Sequence, residues 1–151
     1  MFVRYFVEVK LPFETAEAAL LDGPQGWVPG LAREADDRGE RLLAQVGFGE
    51  AVRIDKRVEI DLGTPVRMGC ATVLPLVWHA DSAATLFPSL EADLEVAALG
   101  PHRTQLSLNG RYLPPMGAVG RAVDRALLHR VSEATVKDFV DHVAEALSSH
   151  A

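Results

Sequence analysis

Lys56 breaks the most regular strand pattern in this chain of 151 residues, sitting between Ile54 and Val58 on a face otherwise made of Val52, Ile60 and Leu62. An ammonium placed there can anchor an anionic head group or, with its pKa lowered by burial, serve as a base or nucleophile. A plainer reading packs its methylene stem and lets the charge reach a rim, or turns it outward at a bulge. Tyr112 shares the inner parity of another strand, where its hydroxyl can orient a ligand carbonyl or act as a general acid; filling the core is the alternative. His79 has Asp81 two residues later on the same face, a spacing that can orient an imidazole for proton transfer. Trp78, however, takes the inner face, which puts His79 outside among solvated residues. Arg121, Arg125 and His129 recur every four residues on a helix, with Asp124 and Arg130 beside them. They form a polar network at a pocket mouth or, by default, a charged surface.

Other chemistry is missing. His79, His102, His129, His142 and His150 are dispersed and Cys70 is the single cysteine, so no metal site is expected. Gly47 and Gly49 are followed by a strand pattern rather than by a helix carrying Lys and Ser or Thr, which removes a phosphate loop, and there is no nucleophile elbow. The catalytic residues are therefore unassigned, and no cofactor is expected. A net charge of -6, from 21 acidic and 15 basic residues, opposes nucleic-acid binding, and the basic residues are scattered among acids. No segment approaches the roughly 20 apolar residues of a membrane helix, so an integral membrane protein is not expected. The opening Met1-Phe2-Val3-Arg4-Tyr5 alternates like a strand instead of reading as a secretory signal, and with a lone cysteine this points to the cytoplasm.

The elements that must position these residues can be read from periodicity. Val3, Tyr5, Val7 and Val9 mark a first strand, ended by Pro12. Glu14 to Leu21 reads as a short Ala-rich helix, and a second short helix is expected from about Pro29 to Arg38, with Gly39 at its end. Leu42, Ala44, Val46 and Phe48 alternate weakly, compatible with a strand or a continued helix. The face of Ile54 to Leu62 described above is the clearest strand. After Gly63-Thr64-Pro65 the next run has Val66, Met68, Cys70, Thr72, Leu74, Leu76 and Trp78 as its inner positions, and Pro75 predicts an edge or a bulge there. Leu90 to Val96 and Thr104 to Tyr112 are two further strands around Gly100-Pro101. Gly117 to Leu147 reads as one long helix whose apolar stripe drifts from Val119, Val123, Ala126 and Leu127 to Val136, Phe139, Val140, Val143 and Leu147, which predicts curvature or different partners for its halves.

This order, with Gly110-Arg111-Tyr112-Leu113-Pro114-Pro115-Met116-Gly117 and then Asp124-Arg125-Ala126-Leu127-Leu128-His129-Arg130, resembles the helix-grip (SRPBCC) superfamily of START domains, birch pollen allergen and aromatic polyketide cyclases. The two segments together are similar to small, mostly uncharacterised bacterial members. The resemblance covers nearly the whole chain and implies a single α+β domain over residues 1–151. It implies a strongly curved antiparallel sheet wrapped around a long C-terminal helix, with two short helices after the first strand. It also implies a central cavity that takes a hydrophobic or amphipathic small molecule, lipid or polyketide-like. The candidate cavity residues are then Lys56, Met68, Thr72, Trp78, Tyr112, Val119, Val123 and Leu127. A cyclase or dehydratase, and a module that binds a protein partner, stay open as alternatives, because one scaffold hosts many activities. Phe6 and Val73 on outer parities suggest a face that a second subunit would cover.

Overall fold

The computed structural model describes residues 2–36, 39–48, 54–80, 89–113 and 125–149. The described residues form eight strands and two α-helices: β1 (Phe2–Val9), α1 (Phe13–Leu21), β2 (Ala32–Asp36), β3 (Gly39–Phe48), β4 (Ile54–Leu62), β5 (Val66–Met68), β6 (Ala71–Ala80), β7 (Ser89–Gly100), β8 (Arg103–Leu113) and α2 (Arg125–Ser149). The strands form one antiparallel sheet in the order β1-β8-β7-β6-β4-β3-β2, with β5 added against β6. Helix α2 packs on β1 and β8 near one end of that order and on β3 near the other. One helix can touch both only if the sheet curls around it.

Alternation produces the sheet's two faces. In β7 Leu90, Leu94 and Val96 are buried while Glu91 and Asp93 are exposed, and in β8 Thr104, Leu106, Leu108 and Tyr112 are buried while Arg103, Asn109, Arg111 and Leu113 are exposed. The inner residues meet Val136, Phe139, Val140, Val143 and Leu147 of α2 in a single core. Tight curvature needs small inner residues where strands crowd. Gly110 lies opposite Ala92 across β8 and β7, and a Cβ at Gly110 would meet the Ala92 Cβ at 2.7 Å and the Glu91 carbonyl oxygen at 2.9 Å.

Helix α1 starts directly after Pro12 with Glu14 in its first turn, where a negative charge suits the helix dipole. Leu20 and Trp27 are buried, and the Trp27 indole donates to the Leu20 carbonyl at 2.8 Å, which folds the segment after the helix back against it. The expected second helix is replaced by other structure. A 3-10 turn spans Pro24–Gly26, and residues 32–36 form β2, paired with β3 from Ala32↔Leu43 to Asp36↔Gly39. Pairing with a neighbouring strand has overridden a helical pattern that was local and short. The same pairing resolves residues 41–48 as a strand.

The run from Val66 to Trp78 is two strands rather than one. Gly69 has φ +62° and, with Cys70, makes a two-residue turn that folds β5 back on β6, Met68 pairing with Ala71. Val66, Met68 and Cys70 are consequently exposed, against the expectation that they face inward, whereas Thr72, Leu74, Leu76 and Trp78 are buried as expected. Pro75 is neither on an edge strand nor at a bulge, since β6 lies inside the sheet and its register with β7 is unbroken there. The neighbouring strand is interrupted instead. β4 and β5 lie along the same side of β6, separated by residues 63–65, and the Pro75 carbonyl accepts the Gly63 N–H at 2.8 Å. In an antiparallel ladder the N–H and C=O of one residue point the same way, so the donor that Pro75 lacks falls at this gap.

Candidate functional site

The long helix changes character along its buried stripe. Val136, Phe139, Val140, Val143 and Leu147 are each at most 2 % exposed, and the Phe139 ring meets Trp78 of β6 edge-on at 5.3 Å. That half is a filled hydrophobic core. One and two turns toward the N-terminus, the same spacing of three and four lands on Ser132 and His129. Ser132 is 4 % exposed and its Oγ has no hydrogen-bond partner among the described residues; the Nδ1 atom of His129 is buried and also has none among them. Buried polar atoms are nearly always paired, so two such atoms on successive turns of one helix are unusual.

Their surroundings define a small polar cluster. Nε2 of His129 lies 2.9 Å from Oε1 of Glu133, one turn further along, so that the carboxylate holds the imidazole proton on Nε2 and leaves a lone pair on Nδ1. Tyr112 of β8, 2 % exposed, places its ring 6.3 Å from the imidazole at a 35° tilt. Burial, and then the negative charge of Glu133, raise the Tyr112 pKa, so its hydroxyl stays protonated as a donor. Thr135 is buried too, but its hydroxyl is occupied by the Val131 carbonyl at 2.7 Å. The open positions are thus an acceptor on His129 and a hydroxyl on Ser132, beside a phenol.

The residues singled out from sequence are distributed over several places. Trp78 and Tyr112 face the core from the sheet, Trp78 against Phe139 and Tyr112 against the polar cluster. Thr72 is fully buried and donates to Oε2 of Glu17, which pins α1 across that end of the sheet; Arg67 approaches the same oxygen at 3.9 Å. Met68, 55 % exposed on β5, is not part of any inner surface. Lys56 pairs in register with Val46 of β3. Its side chain and that of Leu127, together with all of Val119 and Val123, lie outside the described residues. His79 is exposed, with Nε2 3.8 Å from Oδ2 of Asp61 across β4, in keeping with its outward parity; Asp81 lies outside the described residues. His129 belongs to the site although its charged neighbours suggested a surface. Ser132 was missed altogether; the signal was the continuation of the Phe139 stripe onto two polar residues.

Concavities formed by described residues include a groove of about 390 Å³ between β1 and α2, lined by Arg4, Tyr5, Arg130, Glu133 and Lys137 among others. Its charges are largely engaged: the Tyr5 hydroxyl donates to Oδ1 of Asp141 at 2.8 Å and Lys137 donates to Oδ2 at 2.7 Å. No three His, Cys, Asp or Glu residues gather into a metal-binding group among the described residues, and no described helix is long and apolar enough to cross a membrane.

No family model and no curated protein matches the chain. Solved structures do. A START superfamily protein from Mycobacterium smegmatis is 20% identical, with 98% of this chain and 94% of that one covered at a TM-score of 0.61. A conserved protein from Geobacillus kaustophilus is 14% identical over 97% and 94% of the two chains, at 0.59. Norcoclaurine synthase from Thalictrum flavum, in complex with dopamine and hydroxybenzaldehyde, is 11% identical over 100% and 88%, at 0.54. Identities this low speak for architecture and not for activity. With a curled antiparallel sheet gripping a long C-terminal helix along its whole length, the chain has the helix-grip fold of START-like proteins.

Proposed function

We propose that the protein binds an amphipathic small molecule between the sheet and the N-terminal half of α2, with the apolar body against the sheet and the polar end at His129 and Ser132. The observation that carries this reading is a pair of buried atoms, Nδ1 of His129 and Oγ of Ser132, that find no hydrogen-bond partner among the described residues. Each costs about 1–3 kcal/mol if left unsatisfied, and a ligand group that supplies both bonds recovers that penalty. An imidazole lone pair accepts and a serine hydroxyl donates or accepts, so the matching group is itself donor and acceptor: an alcohol, phenol, enol or carboxylic acid. A helix-grip relative that holds dopamine and hydroxybenzaldehyde supports the same coarse picture of a small molecule carrying hydroxyl groups.

Catalysis of the cyclase or dehydratase type is the second reading, favoured by one specific arrangement. The Glu133 carboxylate orients the His129 ring through Nε2, and protonated Tyr112 stands beside it as a donor. Such a pair suits proton removal next to a carbonyl.

The test is native mass spectrometry of freshly purified protein, with denaturing extraction of whatever it carries. A stoichiometric adduct that is largely apolar and bears a hydroxyl or acid group is the expected result. Ser132→Ala is expected to weaken its affinity about tenfold, equivalent to about 1.4 kcal/mol. A clean protein mass, together with no binding of a fluorescent apolar probe, would sink the reading.

A further inference from the structure

The side of the sheet facing away from α2 carries a pattern of its own. Registers across β1, β8, β7 and β6 place Phe2, Arg111, Glu91 and Val77 side by side in one row. Two residues along the strands, the next row is Arg4, Asn109, Asp93 and Pro75, and the third is Phe6, Ser107, Glu95 and Val73. The first and third rows begin with an aromatic residue and end with an aliphatic one. All three acids fall on β7, and both arginines on β1 or β8. Phe2 is 81 % exposed and Phe6 57 %, large apolar surfaces to leave in water on one face.

We propose that this face is the interface of a homodimer, two sheets meeting face to face about a two-fold axis that runs parallel to the strands between β8 and β7. Such a rotation exchanges β1 with β6 and β8 with β7 while keeping every row opposite itself. Phe2 of one copy then meets Val77 of the other, Phe6 meets Val73, and Arg111 meets Glu91. Within one chain Arg111 Nη2 is 3.5 Å from Glu91 Oε2 and both side chains are more than half exposed; the second copy adds an inverted pair and completes an alternating square of four charges. Arg4 lands over Pro75 with Asp93 adjacent. A groove of about 450 Å³ between the first two rows, floored by Ala92 and Gly110, receives the Phe2 ring of the other copy. The charge order, positive on one half of the face and negative on the other, is what selects a second copy of this chain as the occupant, because only a surface with the reversed order is complementary to it.

Sedimentation velocity across protein concentrations up to about 100 µM tests this. The intact chain is expected to reach dimer mass. Glu91→Arg and Arg111→Glu are each expected to give monomer, since each presents like charges to a copy of itself, whereas a one-to-one mixture of the two variants is expected to recover dimer mass as a mixed pair. Circular dichroism confirms that the variants are folded, and Phe2→Ser, at a position this exposed, is expected to give folded monomer independently of charge. An intact chain that stays monomeric over the whole range, whether the face is then free or takes another protein or a small molecule, overturns the proposal. So do single variants that remain dimeric, or a mixture that stays monomeric.

Discussion

The two halves of α2 face the same sheet and spend their buried stripe differently. From Val136 to Leu147 every inward position is apolar and closed, with Phe139 seated on Trp78; from His129 to Thr135 the inward positions are polar, and two of their atoms lack partners among the described residues. The closed half is what stability asks of a helix in a grip, and the polar half is what stability would remove. A polar residue here costs fold stability that an alanine would not, and the proposed ligand is what would offset that cost.

Truncating Phe139 to Ala probes the closed half and carries the largest expected effect. Removal of a buried phenyl ring generally costs about 3–5 kcal/mol. The unfolding midpoint in urea should drop accordingly, with altered emission from Trp78, one of only two tryptophans in the chain. Ser132→Ala should act in the opposite direction, raising stability by about 1 kcal/mol, or roughly 2–4 °C in Tm for a chain of this size, because a buried hydroxyl without a partner is replaced by a better helix former. A loss of stability on that substitution would erase the distinction between the halves.

The smallest effect concerns pH. Burial foremost, then Glu133, raises the Tyr112 pKa; for Tyr5, burial and then the bond to Asp141 do the same. A raised folded pKa means that the stabilisation is fully present below the ordinary phenol value of about 10 and is lost as pH climbs through the folded value. Absorbance at tyrosinate wavelengths should therefore show both phenols, the only two in the chain, titrating later in the folded protein than in urea, and Tyr112→Phe should flatten the alkaline fall in stability.

Much of the architecture was written in strict alternation. β1, β4, β7, β8 and the second half of α2 each carry a period that only one element satisfies, and α1 has its proline and acid at the start. The misreadings share a cause: the deciding partner was remote. Residues 32–36 are helical in composition but are captured by β3, and Pro75 is tolerated inside the sheet because β4 stops at Leu62 and β5 resumes at Val66. Gly69 alone, with its positive φ, decides that Met68 leaves the inner face. The site was harder still. His129 sits among charges that resemble any solvated helix face, and Ser132 is an ordinary residue in a sequence; what distinguishes them is a missing partner, which no spacing encodes.

The pairing of the first strand with the penultimate element has a consequence for how the chain is made. β1 is hydrogen-bonded along its whole length to β8, Phe2 opposite Arg111 and Val9 opposite Thr104, and Tyr5 is tied to Asp141 across a separation of 136 residues. At ordinary translation speeds of about 5–20 residues per second, the newly made β1 waits roughly 5–20 s for the strand that completes it, and longer for the helix that locks it. During that interval β1 is an unpaired strand that carries Phe2 and Phe6. This fold is therefore expected to close only once β8 and α2 have been made, and to depend on chaperone holding in proportion to how slowly residues 103–149 arrive.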